Sequence, residues 1–198
     1  INPDMVNELT FYKGAFPARY GGQLSSIVDV GIQEGDMKKY RGELSLGMLS
    51  SRIDAQGPIW KDRTSFHIGG RLSYLDKIVL PMLESRADNK NATAPYTNLN
   101  YYDLTAKLTH RFSDKNRLSA LLYMGHDTND VNPNQNEMNI NEADMEEKQT
   151  TKAGTENSWG NLIANLGWAY QPNGHFHMNT GLNYSNYRYN LKQKDYRY

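Results

Sequence analysis

Three things are scarce in this sequence of 198 residues: cysteine, net charge and long apolar runs. There is no cysteine, which excludes disulfide bonds and thiolate metal sites. The formal net charge is zero, which argues against a nucleic-acid-binding protein that works by neutralising phosphates. No run of about eighteen apolar residues occurs, so transmembrane helices are not predicted, whereas the alternating strands of a transmembrane β-barrel need no such run.

The residues that are present are polar overall but rich in aromatic rings. Hydrophobic residues make up 38% of the chain and mean hydropathy is −0.78, yet aromatic residues reach 11% and include 14 tyrosines. The length suffices for one domain, but this composition fits a conventional apolar core poorly. The sequence starts at Ile1 with no signal peptide ahead of it, so we expect that the chain has been cut from a longer protein.

The clearest pattern lies between Thr64 and Tyr74, which reads T-S-F-H-I-G-G-R-L-S-Y. Phe66, Ile68 and Leu72 fall on one parity, whereas His67 and Arg71 fall on the other. Side chains of a strand alternate between its two sides, so this segment is predicted to be a strand with one apolar and one polar face.

The same alternation recurs along the chain and predicts an all-β protein. Two short strands are expected at Glu8–Phe11 and Ser26–Ile32, followed by seven longer ones. These seven comprise two strands before Gly57, with a turn near Leu49–Ser51, and then strands near 64–74, 101–112, 117–126, 160–170 and 175–189. Gly57-Pro58 is predicted to end the second of them, and long loops are predicted over roughly 75–100 and 128–157. Short and long connections therefore alternate, as in outer-membrane barrels.

Aromatic rings recur on the apolar parity at a spacing that fits a membrane. The pairs are Phe66 with Tyr74, Phe176 with Tyr184, and Tyr102 with Phe112, separated by eight, eight and ten residues. At ~3.3 Å per residue and a tilt of ~40°, these gaps span roughly 20–25 Å. That is close to the apolar band of ~25 Å between the two aromatic girdles of a transmembrane β-barrel.

The other parity carries polar and charged side chains, which are predicted to face a wet or plugged lumen. The candidates for lumen-facing residues are His67, Arg71, Asp103, Lys107 and Arg111. Asn161, Asn165, His177 and Asn179 share this parity.

The first 75 residues resemble a known family. The stretch E-L-T-F-Y-K-G-A-F-P-A-R-Y-G-G-Q-L-S-S-I-V-D-V looks like the closing strands of the plug of TonB-dependent outer-membrane receptors of the Bacteroidota type. G-E-L-S-L-G-M-L-S-S and A-Q-G-P-I-W-K-D-R-T-S-F then resemble the first barrel strands and the first periplasmic turn. The resemblance implies the C-terminal part of a plug domain over 1–35 and the N-terminal strands of the barrel over 36–198, about seven of an expected 22.

The resemblance also implies location, partners and activity. Such a receptor lies in the lipid of the bacterial outer membrane, binds a nutrient ligand at the cell surface and imports it to the periplasm. Its energy is transmitted by TonB, with ExbB and ExbD, and a surface lipoprotein is a further partner that the resemblance admits. Carbohydrate, peptide and iron-chelate substrates all stay open, and neither a cofactor nor a nucleic-acid partner is expected.

Arg19, Tyr20, Gly21 and Gly22 match the plug motif of the family. One interpretation is a plug loop that contacts substrate or barrel wall and rearranges under TonB. The other is a structural turn whose arginine pairs with barrel carboxylates, and this second interpretation is favoured.

Two polar stretches are candidate ligand sites. Asp127, Asn129, Asp130 and Asn132 offer clustered oxygen ligands, but the glycine and bidentate glutamate of a calcium loop are not in register, so no metal site is predicted. An acidic run is expected to be a solvated segment, with steering of a cationic ligand as the alternative. Its members are Glu137, Glu142, Asp144, Glu146 and Glu147.

No catalytic group is apparent, because nothing pairs the histidines with a nucleophile, and the protein is not predicted to be an enzyme. His110 falls on the lipid parity at one rim, His126 lies at the opposite rim, and His67 and His177 share the lumen parity. The competing interpretation is a passive outer-membrane pore, or a surface-binding or adhesive β-domain, without energy coupling.

Overall fold

The computed structural model describes residues 1–14, 17, 20–21, 25–74, 77, 96–132 and 151–197. A short 3-10 helix, Pro3–Met5, precedes nine strands. These are β1 (Val6–Lys13), β2 (Ser26–Ile32), β3 (Arg41–Leu46), β4 (Ser50–Trp60), β5 (Thr64–Ser73), β6 (Tyr96–Ser113), β7 (Asn116–Asn132), β8 (Thr151–Asn173) and β9 (Phe176–Arg197). The all-β prediction is confirmed.

The strands form two antiparallel sheets. β1 pairs with β2, and β3 to β9 form a seven-stranded sheet in which each strand neighbours the next in sequence. In the described part of the chain this large sheet is open, with β3 and β9 at its edges. Three connections leave each end of it: 61–63, 114–115 and 174–175 at one end, and 47–49, 74–95 and 133–150 at the other. We call these the short-turn end and the long-connection end.

Several predicted strand ends are wrong. The first turn of the large sheet lies at 47–49 rather than near Leu49–Ser51. Gly57-Pro58 does not end β4, because Gly57 and Pro58 pair with β5 and the strand continues to Trp60 after a bulge. The last four strands extend beyond their predicted ends into polar stretches, because the backbone ladder needs no apolar side chains. The amphipathic turn predicted around Pro81 lies outside the described residues.

The two faces of the large sheet have the opposite exposure from those of a sheet in a water-soluble protein. On the apolar face, the exposed fraction is 39% for Leu104, 46% for Leu166 and 73% for Leu182. On the polar face, His67 is completely buried and Asp103 is 5% exposed. Met5 is the one buried hydrophobic side chain among the described residues. The apolar side chains of the large sheet therefore do not converge into a dry core.

The N-terminal segment covers part of the polar face. The 3-10 helix packs on β5, where Gly69 leaves the necessary space. A Cβ atom at Gly69 would lie 2.5 Å from Sδ of Met5 and 2.9 Å from Nδ2 of Asn2, so an alanine there would force these two side chains to shift. Within the described ranges, no helix has the length and hydropathy of a membrane-crossing segment.

Candidate functional site

The best-defined polar site is the contact between the N-terminal segment and the polar face of the large sheet. We call it the inter-sheet contact. It joins side chains of strands β4, β5, β6 and β7 to the 3-10 helix, to the last residue of β2 and to the linker 33–36 that follows it. The side chains from the large sheet are Arg52, Asp54, His67, Lys107 and Arg117.

His67 is the centre of this contact. Its Nε2 lies 2.7 Å from Oδ2 of Asp54 on the neighbouring strand, and its Nδ1 lies 3.2 Å from the carbonyl oxygen of Gln33. A carbonyl oxygen only accepts hydrogen bonds, so Nδ1 donates to it. Asp54 and His67 are both buried. The buried imidazole of His67 therefore connects the linker to the large sheet through hydrogen bonds.

Three further polar contacts hold the same segment. Lys107 donates a hydrogen bond from Nζ to the carbonyl oxygen of Ile32. Arg117 pairs with Glu34 at 3.0 Å, and Arg52 pairs with Asp4 of the short helix at 3.3 Å. Apart from Met5, the described residues of the N-terminal segment are thus held by polar contacts rather than by burial of large apolar side chains.

Arg71 and Asp103 form a second polar group towards the long-connection end. They lie opposite each other on β5 and β6, and the guanidinium contacts Oδ2 of Asp103 through Nε at 2.8 Å and through a terminal nitrogen at 2.6 Å. The guanidinium also lies 4.6 Å from the ring centroid of Tyr101. This geometry fixes the arginine by charge and by contact with an aromatic face.

The linker itself is shaped by Asp36. Its Oδ1 accepts hydrogen bonds from the backbone N–H groups of Lys38 at 2.8 Å and Lys39 at 3.1 Å, and its Oδ2 lies 3.1 Å from Arg41. The backbone hydrogen bond from Lys38, followed by that from Lys39, lowers the pKa of the Asp36 carboxyl below its ordinary value, and Arg41 adds to the effect.

Four of the five lumen candidates lie together on the covered polar face. His67 and Lys107 belong to the inter-sheet contact, and Arg71 and Asp103 lie beside it. Arg111 shares their parity but is exposed at the short-turn end, where its backbone N–H bonds to Arg63. It takes no part in the inter-sheet contact.

The other sequence candidates are separated. Tyr20 donates a hydrogen bond to the Asp29 carboxylate, and Gly21 is described, whereas Arg19 and Gly22 lie outside the described residues. The acidic run over 137–147 also lies outside them. Both favoured and alternative interpretations of these segments stay predictions.

The four weak calcium candidates lie in strand β7 and not in a loop. Asp130 therefore points away from the side on which Asp127 and Asn129 lie, because neighbouring strand residues alternate. Asn132 is the last residue of the strand. In the described ranges, no group of three or more His, Asp or Glu side chains is placed to hold a metal ion.

The histidines outside the inter-sheet contact lie at the rims. On the apolar face, His110 contacts Thr64 at 2.7 Å near the short-turn end, and His126 lies near the long-connection end. His177 contacts Asn179 on β9.

Sequence reasoning missed several partners in the inter-sheet contact. Asp54 was detectable, because it shares the polar parity of β4 with Arg52 and Gln56. Asp4 and Glu34 were not, since their partners lie 48 and 83 residues away in sequence.

Comparison with protein families, with curated proteins and with solved structures finds no match to this chain.

Proposed function

We propose that this chain belongs to an outer-membrane active-transport receptor. The receptor binds a nutrient at the cell surface and imports it to the periplasm with energy transmitted by TonB. The observation that carries the proposal is the exposure of the two sheet faces. Large apolar side chains are exposed on one face, and charged side chains are buried under the N-terminal segment on the other.

The apolar face has the dimensions of a membrane-facing surface. Tyr102 and Phe112 lie near its two ends on β6, and 55% and 58% of their surfaces are exposed. The ten residues between them span ~33 Å along the strand, or about 25 Å along the membrane normal at a tilt of ~40°. In water, an exposed apolar surface of this size would favour aggregation, whereas in lipid it is the expected outer surface of a barrel.

The inter-sheet contact supports a gated rather than an open pathway. The described residues of 1–35 cover part of the polar face through ion pairs and hydrogen bonds, which water can replace when the segment moves. Among the described residues of the segment, Met5 is the one buried apolar side chain, and its exposure alone would cost about 1.5–3 kcal/mol. A segment held in this way can close a wide pore at rest and still be moved by an external force.

Transport measurements separate the proposal from its competitors. The protein is expressed in the outer membrane of a bacterium, and uptake of labelled oligosaccharides, peptides and iron chelates is followed with and without a protonophore. Uptake of one class that the protonophore abolishes supports an energised importer. Uptake that ignores the protonophore, together with steady conductance in a planar bilayer, indicates a passive pore. Surface binding without uptake indicates an adhesive domain.

A further inference from the structure

The apolar face holds a depression with a polar rim near the long-connection end. Its cavity volume is about 620 Å³. Register places His126, Gly160 and Arg188 in one row across β7, β8 and β9, with Tyr102 completing the row on β6. Directly opposite residues of antiparallel strands share a face, so these side chains surround a gap at Gly160.

The gap depends on the glycine. A Cβ atom at Gly160 would lie 3.3 Å from Nδ1 of His126, closer than an ordinary contact. The His126 ring is held from two sides: its centroid lies 5.6 Å from that of Tyr102, and Nε2 lies 3.3 Å from the hydroxyl of Thr128. An ordered imidazole and an arginine therefore flank a space without a side chain.

The rim favours an anion. Arg188 forms no ion pair with any residue in the described ranges, whereas Lys192, four residues further along the same face of β9, pairs with Glu156 at 3.3 Å. The acidic side chains on this face, Asp130 and Glu156, lie four residues above the row, roughly 13 Å along the strands. The positive charge of Arg188 is thus available, and arginine suits a phosphate because its planar fork donates two parallel hydrogen bonds.

The floor below the rim is apolar and continues towards the membrane centre. The next row contains Leu104, Met124 and Leu162, and their exposed fractions are 39%, 40% and 37%. A trough of about 760 Å³ follows, whose floor is formed by the small side chains of Ala106, Ala120 and Ala164. Both cavities share Tyr184, so a polar rim and an apolar trough form one continuous surface.

The length of this surface matches one leaflet of a bilayer. From the row of Gly160 to the row of Leu166 the strand advances six residues. That distance is ~20 Å along the strand and about 15 Å along the membrane normal, which is half of a hydrocarbon core of ~30 Å. Long connections face the cell exterior in outer-membrane barrels, so the leaflet is the outer one.

We infer that this surface binds one lipid of the outer leaflet. The lipid's headgroup phosphate lies between Arg188 and His126, and its acyl chain lies over Leu104, Met124 and Leu162. This inference rests on the proposed membrane location of the apolar face. It adds a defined lipid as a partner, which general lipid contact does not require.

The test is native mass spectrometry of the detergent-solubilised protein, preceded by a check that it inserts into nanodiscs. The protein is titrated with phosphatidic acid, with diacylglycerol as its phosphate-free counterpart, and with inorganic phosphate. We expect phosphatidic acid to bind more tightly than the other two. Because Arg188→Gln removes charge-assisted hydrogen bonds to the phosphate, we expect this variant to bind phosphatidic acid about ten-fold more weakly, or weaker still.

Two further variants sharpen the test. Gly160→Val fills the gap and is expected to weaken the binding of phosphatidic acid to a similar extent. Lys192→Gln, on the same strand and face as Arg188, is expected to leave this binding unchanged. Equal binding of phosphatidic acid and diacylglycerol by a protein that inserts would overturn the headgroup site and leave the membrane proposal standing. Equally tight binding of inorganic phosphate would overturn the lipid assignment, and failure to insert would overturn both proposals.

Discussion

Replacing Gly35 by alanine should detach the N-terminal segment from the large sheet. A Cβ atom at this position would lie 2.6 Å from the carbonyl carbon of Phe66 and closer still to its oxygen. Phe66 belongs to a strand that is paired on both sides, so its backbone is not free to move. To restore an ordinary contact of 3.4 Å to this carbon, the linker must retreat by about 0.8 Å, and it must retreat further to clear the oxygen.

The retreat is sufficient to break the contact with the buried histidine. The distance between the Gln33 oxygen and Nδ1 of His67 is 3.2 Å and would grow to at least about 4 Å, beyond hydrogen-bond range. An unpaired buried donor costs about 1–3 kcal/mol, and weakening of the partly exposed pair between Arg117 and Glu34 adds ~0–1 kcal/mol. A loss of about 2 kcal/mol corresponds to roughly 30-fold faster opening.

Amide hydrogen exchange measures this opening in the assembled protein. We expect amides of β1 and β2 to exchange about 30-fold faster in Gly35→Ala, while amides of β6 to β8 keep their rates. Gly42→Ala is the matched control, because its Cβ atom would lie 3.6 Å from the Asp54 oxygen, an ordinary contact. Equal exchange in the two variants would refute the reasoning, and so would a rise in Gly35→Ala that is uniform over both sheets.

Three further perturbations test separate parts of the account. His67→Ala removes both hydrogen bonds of a buried imidazole and should destabilise the protein by about 2–5 kcal/mol in chemical denaturation, whereas an unchanged midpoint would contradict its central place. The lowered pKa of Asp36, chiefly from the N–H of Lys38, means that its stabilisation is present above the unfolded pKa and lost as pH falls through the folded pKa. In Asp36→Asn, the free energy of unfolding should therefore fall less steeply as the pH is lowered. An unchanged pH dependence on the acid side would contradict the stabilising role of the Asp36 carboxylate. Leu166→Arg should make the free energy of insertion into vesicles less favourable by ~2–4 kcal/mol, whereas Asn165→Arg on the polar face should leave it unchanged. Equal insertion of the two variants would contradict the assignment of the faces.

Much of the large sheet could be predicted because its side chains alternate. The strand predicted over Thr64–Tyr74 is found at Thr64–Ser73. The alternation that puts His67 and Ile68 on different faces of the sheet separates a buried residue from an exposed one. Alternation depends on neighbouring residues alone, so it is readable from the sequence without knowledge of the fold.

The strand ends and the inter-sheet contact were less accessible. Residues 128–132 and 151–157 are mostly polar on both parities and show no regular alternation, so the sequence does not distinguish a strand from a loop there until the backbone ladder is known. The hydrogen bond from His67 to Gln33 joins the large sheet to the linker after β2 across 34 residues, and its acceptor is a backbone carbonyl, which every residue carries. Such a contact is set by tertiary packing, which leaves no residue-type signal at Gln33.

The most direct test of the central claim is the environment of two adjacent side chains at mid-strand. The chain contains no cysteine, so Leu166→Cys and Asn165→Cys each introduce a single attachment point for an environment-sensitive fluorophore. In the protein reconstituted in vesicles, a lipid-attached quencher should quench the label at 166, and a water-soluble quencher should reach the label at 165. The reverse pattern, with the label at 165 in lipid or the label at 166 in water, would contradict the account.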